Sequence, residues 1–189
     1  MPRISEEREE ATRGRILQAG IEVFERRGFA RASMTEIAAE AGMSAGATYT
    51  YFDSKEELFL AAFGALVEDE EQAVQQGIAA SPVTAFAIDL AVDYIASVVA
   101  GGSGFRGAGA NFLLHAWGKA HESDPLREML LRRRSNVGAL ARTVVEGAMS
   151  RGELPADLDA EGIALGFTSL LDGLFLQRAE RGEDFSAQD

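Results

Sequence analysis

The sequence predicts an all-α fold: a compact N-terminal three-helix helix-turn-helix unit followed by a larger helical domain. Three observations carry this. Ala, Leu, Glu and Arg dominate, and apolar residues recur at helical spacing rather than alternating. Glycines such as Gly28 and Gly42 stand where helices would stop. Serines followed three residues later by a glutamate, at Ser33 with Glu36 and at Ser54 with Glu57, mark where helices would restart.

The first helix is expected from about Glu9 to Arg27, with Ile16, Ala19, Gly20, Val23 and Phe24 on one face. Ser33 caps a short second helix whose buried face is Ile37, Ala38 and Ala41, and Gly42 ends it in a turn where a side chain would clash. Ser44 caps a short third helix running to about Tyr51, and Phe52 reads as a core aromatic. The Ser54 box opens a long fourth helix to about Gly77. Ser81-Pro82 starts another, to about Ala100, followed by a glycine-rich break over residues 101–109. Three more helices are expected: Ala110 to His121, a long one from Ser123-Asp124-Pro125 to near Arg151-Gly152, and Asp159 to Arg181. A boundary near residue 60 divides residues 1–60 from 61–189.

Composition removes several functions. The 189-residue chain has a net charge of -12, which argues against indiscriminate nucleic-acid binding through a broad basic surface. The charge is uneven: residues 1–60 hold 8 Lys/Arg against 11 Asp/Glu, and residues 61–189 hold 10 against 19. Any contact with phosphates must therefore come from a local patch. With no Cys there is no disulfide or thiolate chemistry. The charged start, Met1 to Glu7, does not fit a signal peptide, and Asp89, Asp93 and Asp172 interrupt the most apolar stretches, so no membrane partner and a cytoplasmic location are expected. No phosphate loop or paired-histidine zinc motif occurs, and Gly101-Gly102-Ser103-Gly104-Phe105 lacks the closing glycine of a nucleophile elbow. No enzyme and no cofactor are expected.

The informative stretch is Ile37-Ala38-Ala39-Glu40-Ala41-Gly42-Met43-Ser44-Ala45-Gly46-Ala47-Thr48-Tyr49-Thr50-Tyr51-Phe52-Asp53-Ser54-Lys55-Glu56-Glu57-Leu58. Small Ala45, Gly46 and Ala47 let a helix backbone approach DNA closely, and Tyr49, Thr50 and Tyr51 offer hydroxyls to bases or phosphates. Lys55 and Ser33 stand at helix starts, where backbone N–H groups favour phosphate. The stretch resembles the DNA-binding signature of the tetracycline-repressor (TetR) family, over about residues 10–60. The resemblance implies base-facing roles for Ala45, Gly46, Ala47 and Thr50, and backbone contacts for Ser33, Tyr49, Tyr51 and Lys55. It further implies a double-stranded operator, a small-molecule effector and a homodimer. Ala45 departs from a frequently basic or polar position and Thr48 from a usual Leu or Ile; Thr48 can bond back to its own helix. The other readings are an interaction module that has lost DNA binding and an enzyme.

Beyond residue 60 no motif names a ligand. Phe86, Asp89, Asp93, Asn111, Phe112, His115 and Trp117 are candidates for lining an effector pocket, though the aromatics also suit plain core and the two aspartates a solvated face. Arg132-Arg133-Arg134 suits a solvated run or pairing with acids across subunits. Stripes of Val137, Leu140, Ala141, Val144 and Val145, and of Ile163, Phe167, Leu170, Leu171 and Leu174, suit a dimer interface, which the resemblance places on the last two helices.

Overall fold

The computed structural model describes residues 3–80, 89, 92, 93 and 110–181. Seven helices are delimited among them: α1 (Arg3–Arg27), α2 (Met34–Glu40), α3 (Ala45–Thr48), α4 (Lys55–Ala80), α5 (Ala110–Lys119), α6 (Asp124–Ser150) and α7 (Ala160–Arg181). The described residues contain no strand. The expected Ser81 start, the helix to Ala100, the glycine-rich break and Phe86 lie outside the described residues. Asp89, Val92 and Asp93 are helical and exposed.

Local chemistry accounts for most helix ends. Ser33 Oγ accepts the Glu36 N–H at 3.2 Å, and Ser44 Oγ accepts the Ala47 N–H at 3.2 Å. At α4, Ser54 Oγ accepts from Glu57 N–H at 3.0 Å, and the Glu57 carboxylate accepts from Asp53 N–H at 2.6 Å. The box at Ser33 is only half made: the Glu36 carboxylate turns instead to Arg27, at 2.9 Å. After α2 the chain reverses with Gly42 at φ +69°, with Met43 N–H donating to Ala38 O and Gly42 N–H to Ala39 O. A Cβ on Gly42 would meet nothing within 4 Å, so the left-handed backbone, not a clash, calls for glycine here. Helix α1 starts at Arg3 rather than near Glu9, since no Gly or Pro stands between Arg3 and Glu9 to stop a helix nucleated downstream from extending back. Helix α3 ends at Thr48; Thr50 and Tyr51 continue it as tighter turns, their N–H groups donating three residues back.

One core runs through the whole assembly. Phe24 of α1, Phe52, Phe63 of α4 and Phe112 of α5 are fully enclosed, with Ile16, Ile37, Leu58 and Leu66 around them. Burying each such side chain contributes about 1.5–3 kcal/mol. Helix α4 spans the proposed boundary at residue 60 without a break, and Phe59 and Phe63 join the same cluster as Phe112. Gly20 permits the close contact of α1 with α4: a Cβ there would sit 2.4 Å from Leu58 Cδ2.

Ionic contacts tie the long helices together. Arg133 makes a bidentate pair with Glu70 at 2.7 and 3.1 Å, and Arg132 one with Glu71 at 2.6 and 3.0 Å, joining α6 to α4. Asn136 also donates to Glu71, and Arg134 pairs with Asp172 on α7. The arginine run thus pairs within the subunit with two neighbouring helices; Arg133 is buried, while Arg132 and Arg134 stay about half exposed to solvent.

Candidate nucleic-acid interface

Helices α2 and α3 form an open corner of the molecule. Thr48 is fully buried beneath it, and its hydroxyl donates back to Ser44 O at 3.3 Å, as a Thr in a helix can. That anchors α3 by its inner side and turns its outer side to solvent. Gly46 and Thr50 are exposed, Ala45 and Ala47 partly so, and Tyr49 is 50% exposed. An exposed tyrosine on so short a helix gains little from core packing, which suits contact with another molecule. A Cβ on Gly46 would meet nothing within 4 Å, so its lack of a side chain leaves room for something outside the chain.

The predicted contact residues are not equivalent. The Thr50 hydroxyl donates to Ala47 O at 2.6 Å. While that bond holds, its oxygen is left to accept, as from a base amino group. The exposed Ser33 oxygen accepts from Glu36 N–H, a bond that does not use the hydroxyl hydrogen, which suits the hydroxyl to donate to a phosphate. Tyr51 is half-buried and packs on the core. Phe52 is buried, as expected.

Lys55 differs most from expectation. Its ammonium donates to Phe29 O at 2.7 Å and Ala32 O at 3.0 Å and lies 4.3 Å from the centre of the Phe29 ring. Lys55 thus straps the start of α4 to the turn between α1 and α2. The reason is geometric: that turn leaves two carbonyls outside a helix ladder within reach of the side chain. At most one of its three ammonium hydrogens is left for a phosphate.

The acids of this corner are neutralised from behind. Arg26 pairs with Glu40 at 2.6 Å and Arg27 with Glu36 at 2.9 Å, so both α2 carboxylates are drawn towards α1. The Glu40 hydrogen bond and charge raise the Arg26 pKa further above its ordinary value. In a chain this acidic the pairing matters, since it lowers the repulsion a phosphate backbone would meet. Sequence reading missed it, because the partners lie on different helices. The only available signal was the i, i+4 spacing of Glu36 and Glu40 beside two consecutive arginines.

Among the described residues, the candidate effector residues fall in more than one place. Phe112 is enclosed by Phe24, Phe59 and Phe63, with ring centres 6.2, 4.7 and 6.0 Å away. His115 stacks on Phe29 at 4.0 Å and meets Phe59 edge-on at 4.7 Å. Burial, then the charges of Lys119 and Lys55, hold the His115 pKa below its ordinary value. Asn111 Nδ2 donates to Glu25 O at 3.0 Å, and the Glu25 carboxylate accepts from Phe112 N–H at 3.0 Å, capping the start of α5. Asn111, Phe112 and His115 therefore join α5 to α1 and α4. The periodicity of α5 was right; which neighbour each face would meet could not be read from it. Asp89 and Asp93 are exposed, as a solvated face would be. Trp117 lines a separate cleft with Leu130, Arg133, Arg134, Val137, Thr168, Leu171 and Asp172.

Of the candidate interface residues, Leu170 is 57% exposed, and Val137, Leu140, Val144, Phe167 and Leu174 are partly buried. Leu171 is the exception. It falls on the inner side of α7 with Ala164, Thr168 and Phe175, all buried, because the i, i+4, i+7 positions of that face pack inward. Leu165, Leu176 and Ile163 are exposed on α7, and Leu131 on α6.

An anchored short helix with an open small-residue face, set against a capped partner helix, defines a helix-turn-helix DNA-binding protein. Residues 16–62 match the family described as bacterial regulatory proteins, tetR family, and residues 87–189 match the BetI-type transcriptional repressor C-terminal family. The chain belongs to the TetR family of transcriptional regulators. It is 29% identical to the HTH-type transcriptional regulator TtgR of Pseudomonas putida over 179 residues, covering 92% of this chain and 83% of the relative. It is 27% identical to the regulator BetI of Rhizobium meliloti over 195 residues, covering 100% and 87%. A TetR transcription regulator from Haloarcula marismortui shares the fold with a TM-score of 0.75 at 19% identity, over 90% of this chain and 87% of that one. A transcriptional regulator from Saccharomonospora viridis, solved with choline, superposes with a TM-score of 0.71 at 20% identity, over 95% and 91%. These matched families and relatives are regulators, not enzymes. Among the described residues no helix is long and apolar enough to cross a membrane.

Proposed function

We propose that the protein is a repressor that binds a palindromic operator as a homodimer and lets go when a small molecule enters the part beyond residue 60. The observation that carries the DNA reading is the outer face of α3 and the turn that follows it, where Gly46, Tyr49 and Thr50 are exposed over a buried Thr48. In this reading Ala45, Gly46, Ala47 and Thr50 face bases, and Ser33, Tyr49 and Tyr51 hold the phosphate backbone. Lys55 chiefly fixes the start of α4, with one hydrogen left for a phosphate.

The exposed leucines of α7 and the flank of α6 support pairing of two copies through these helices, since large apolar side chains rarely stay in water together. A two-fold axis then sets two α3 helices on successive major-groove faces, roughly 34–36 Å apart or slightly more. Effector binding acts through α4, which starts beside the DNA-reading corner and is clamped to α6 by Glu70 and Glu71. An effector changes DNA affinity only by binding the two arrangements unequally. A gel shift on DNA flanking the protein's own gene, at stated salt, tests the reading. A complex that survives competitor DNA and is lost with Tyr49→Ala supports it; equal binding by the variant overturns it.

A further inference from the structure

An acidic chain that binds DNA needs cations that its own carboxylates have not taken. Of the 8 Lys/Arg in residues 1–60, three are committed: Arg26 to Glu40, Arg27 to Glu36, and Lys55 to two carbonyls. Arg8, Arg13, Arg15 and Arg31 are exposed, and among the described residues none of them pairs with a carboxylate. Of these four, Arg13 and Arg31 have side chains held against the helix-turn-helix corner.

Arg13 lies on α1, with its guanidinium carbon 5.1 Å from the centre of the Phe52 ring. Phe52 ends the turn after α3, so the ring holds Arg13 at the exit from that helix. Glu9 stands four residues earlier on α1, the favoured spacing for an ion pair, yet the two do not pair. Stacking uses the face of a guanidinium and leaves its N–H edge for a bidentate acceptor such as a phosphate. Arg31 stands at the entrance to α2, two residues before the Ser33 cap. Its Nε donates to Arg27 O at 3.1 Å, which fixes the side chain and leaves the terminal N–H groups. A side chain fixed beforehand loses less entropy when it grips a ligand.

We propose that Arg13 and Arg31 grip the DNA backbone, one at the exit from α3 and the other at the entrance to α2, each taking a phosphate beside the groove that α3 reads. The inference rests on the DNA-binding reading above and supplies the charge that Lys55, strapped to Phe29 O and Ala32 O, gives only in part. The two arginines bracket α2 and α3 in the chain, so they set the register of the corner on the duplex without reading its sequence. Arg15 is the built-in comparison. It is exposed and carries the same charge, but it stands two residues from Arg13, roughly 200° round α1, and among the described residues no side-chain contact fixes it.

Fluorescence anisotropy of the full-length protein, with a labelled duplex of DNA flanking its gene and a shuffled duplex of equal composition, gives Kd across salt from about 50 to 200 mM. Each phosphate contact removed should take roughly one unit off the slope of log Kd against log salt per bound copy. Arg13→Gln and Arg31→Gln should each do so on both duplexes, since phosphates carry no sequence, and should weaken binding several-fold to tenfold at the low-salt end. Arg13→Met keeps an apolar stem over Phe52 and should match Arg13→Gln. Arg15→Gln should change the slope by less than about half a unit. Circular dichroism shows whether each variant is folded; if Arg13→Gln is not, Arg13→Met and Arg31→Gln decide. An unchanged slope in either folded arginine variant, or an equal change in Arg15→Gln, overturns the proposal. So does weaker binding at unchanged slope, which a purely structural Arg13 would give. No binding of the wild type to either duplex overturns the DNA reading and this inference with it. Tyr49→Ala weakened while the arginine variants keep the wild-type slope overturns this inference alone.

Discussion

Replacing Gly46 with alanine should move stability and DNA binding in opposite directions. Gly46 is exposed within α3, its backbone is helical, and an added Cβ has nothing within 4 Å. The free protein therefore has no reason to resist the change. Alanine in a helix is favoured over glycine by about 0.5–1 kcal/mol, and a helix this short should deliver the lower end. For a chain of this size that raises Tm by roughly 1–4 °C. On DNA the methyl group stands where the backbone approaches the groove. Displacement by a few tenths of an ångström there disturbs several contacts, and a loss of about 1.4–3 kcal/mol is tenfold to a hundredfold in Kd. Calorimetry and a fluorescence-anisotropy titration on the operator measure the two quantities on one preparation. A variant that is more stable and still binds DNA as tightly would refute the placement of α3 in the groove. A variant that is much less stable would refute the open space read at Gly46.

Three further outcomes follow from the packing. Leu170→Glu puts a charge on the exposed face of α7, where a two-fold axis would set it near its own copy; dimer dissociation should rise about a hundredfold or more by sedimentation, with the monomer fold kept. Glu25→Gln removes the charged acceptor of the Phe112 N–H at the start of α5 and should cost about 1 kcal/mol in urea unfolding, read from the midpoint. His115 is held neutral by burial and by Lys119 and Lys55, so its folded pKa lies below the ordinary 6.5. The unfolded chain then takes up the proton more readily, and this contribution is full above about pH 6.5 and is lost as pH falls below it through the lowered pKa. His115→Phe should flatten that part of the stability profile, and an unchanged profile would count against the burial that lowers the His115 pKa.

Most of the helix-turn-helix corner was legible because its determinants are local. Ser33, Ser44 and Ser54 make their caps with residues three positions away, and Gly42 takes its left-handed backbone within one turn. The resemblance, rather than periodicity, separated Tyr49, half exposed, from Phe52, read as core and buried. What failed was long-range partner choice. Lys55 reaches carbonyls 26 and 23 residues away, and Arg133 a carboxylate 63 residues away. Phe112 and His115 lie on the expected helix, but α5 turns them to the core and to Phe29 instead of to the cleft of Trp117. Leu171 was placed in an outward stripe because Leu170 and Leu171 cannot be told apart by hydrophobicity; only the packing of α7 decides which faces in.

The most direct test of the central claim is a hydroxyl-radical footprint of the full-length protein on DNA flanking its gene. The account predicts two protected patches related by two-fold symmetry, their centres about one helical turn apart or slightly more, both lost with Tyr49→Ala. Protection that is absent, lacks the symmetry, or persists in the Tyr49 variant would contradict it.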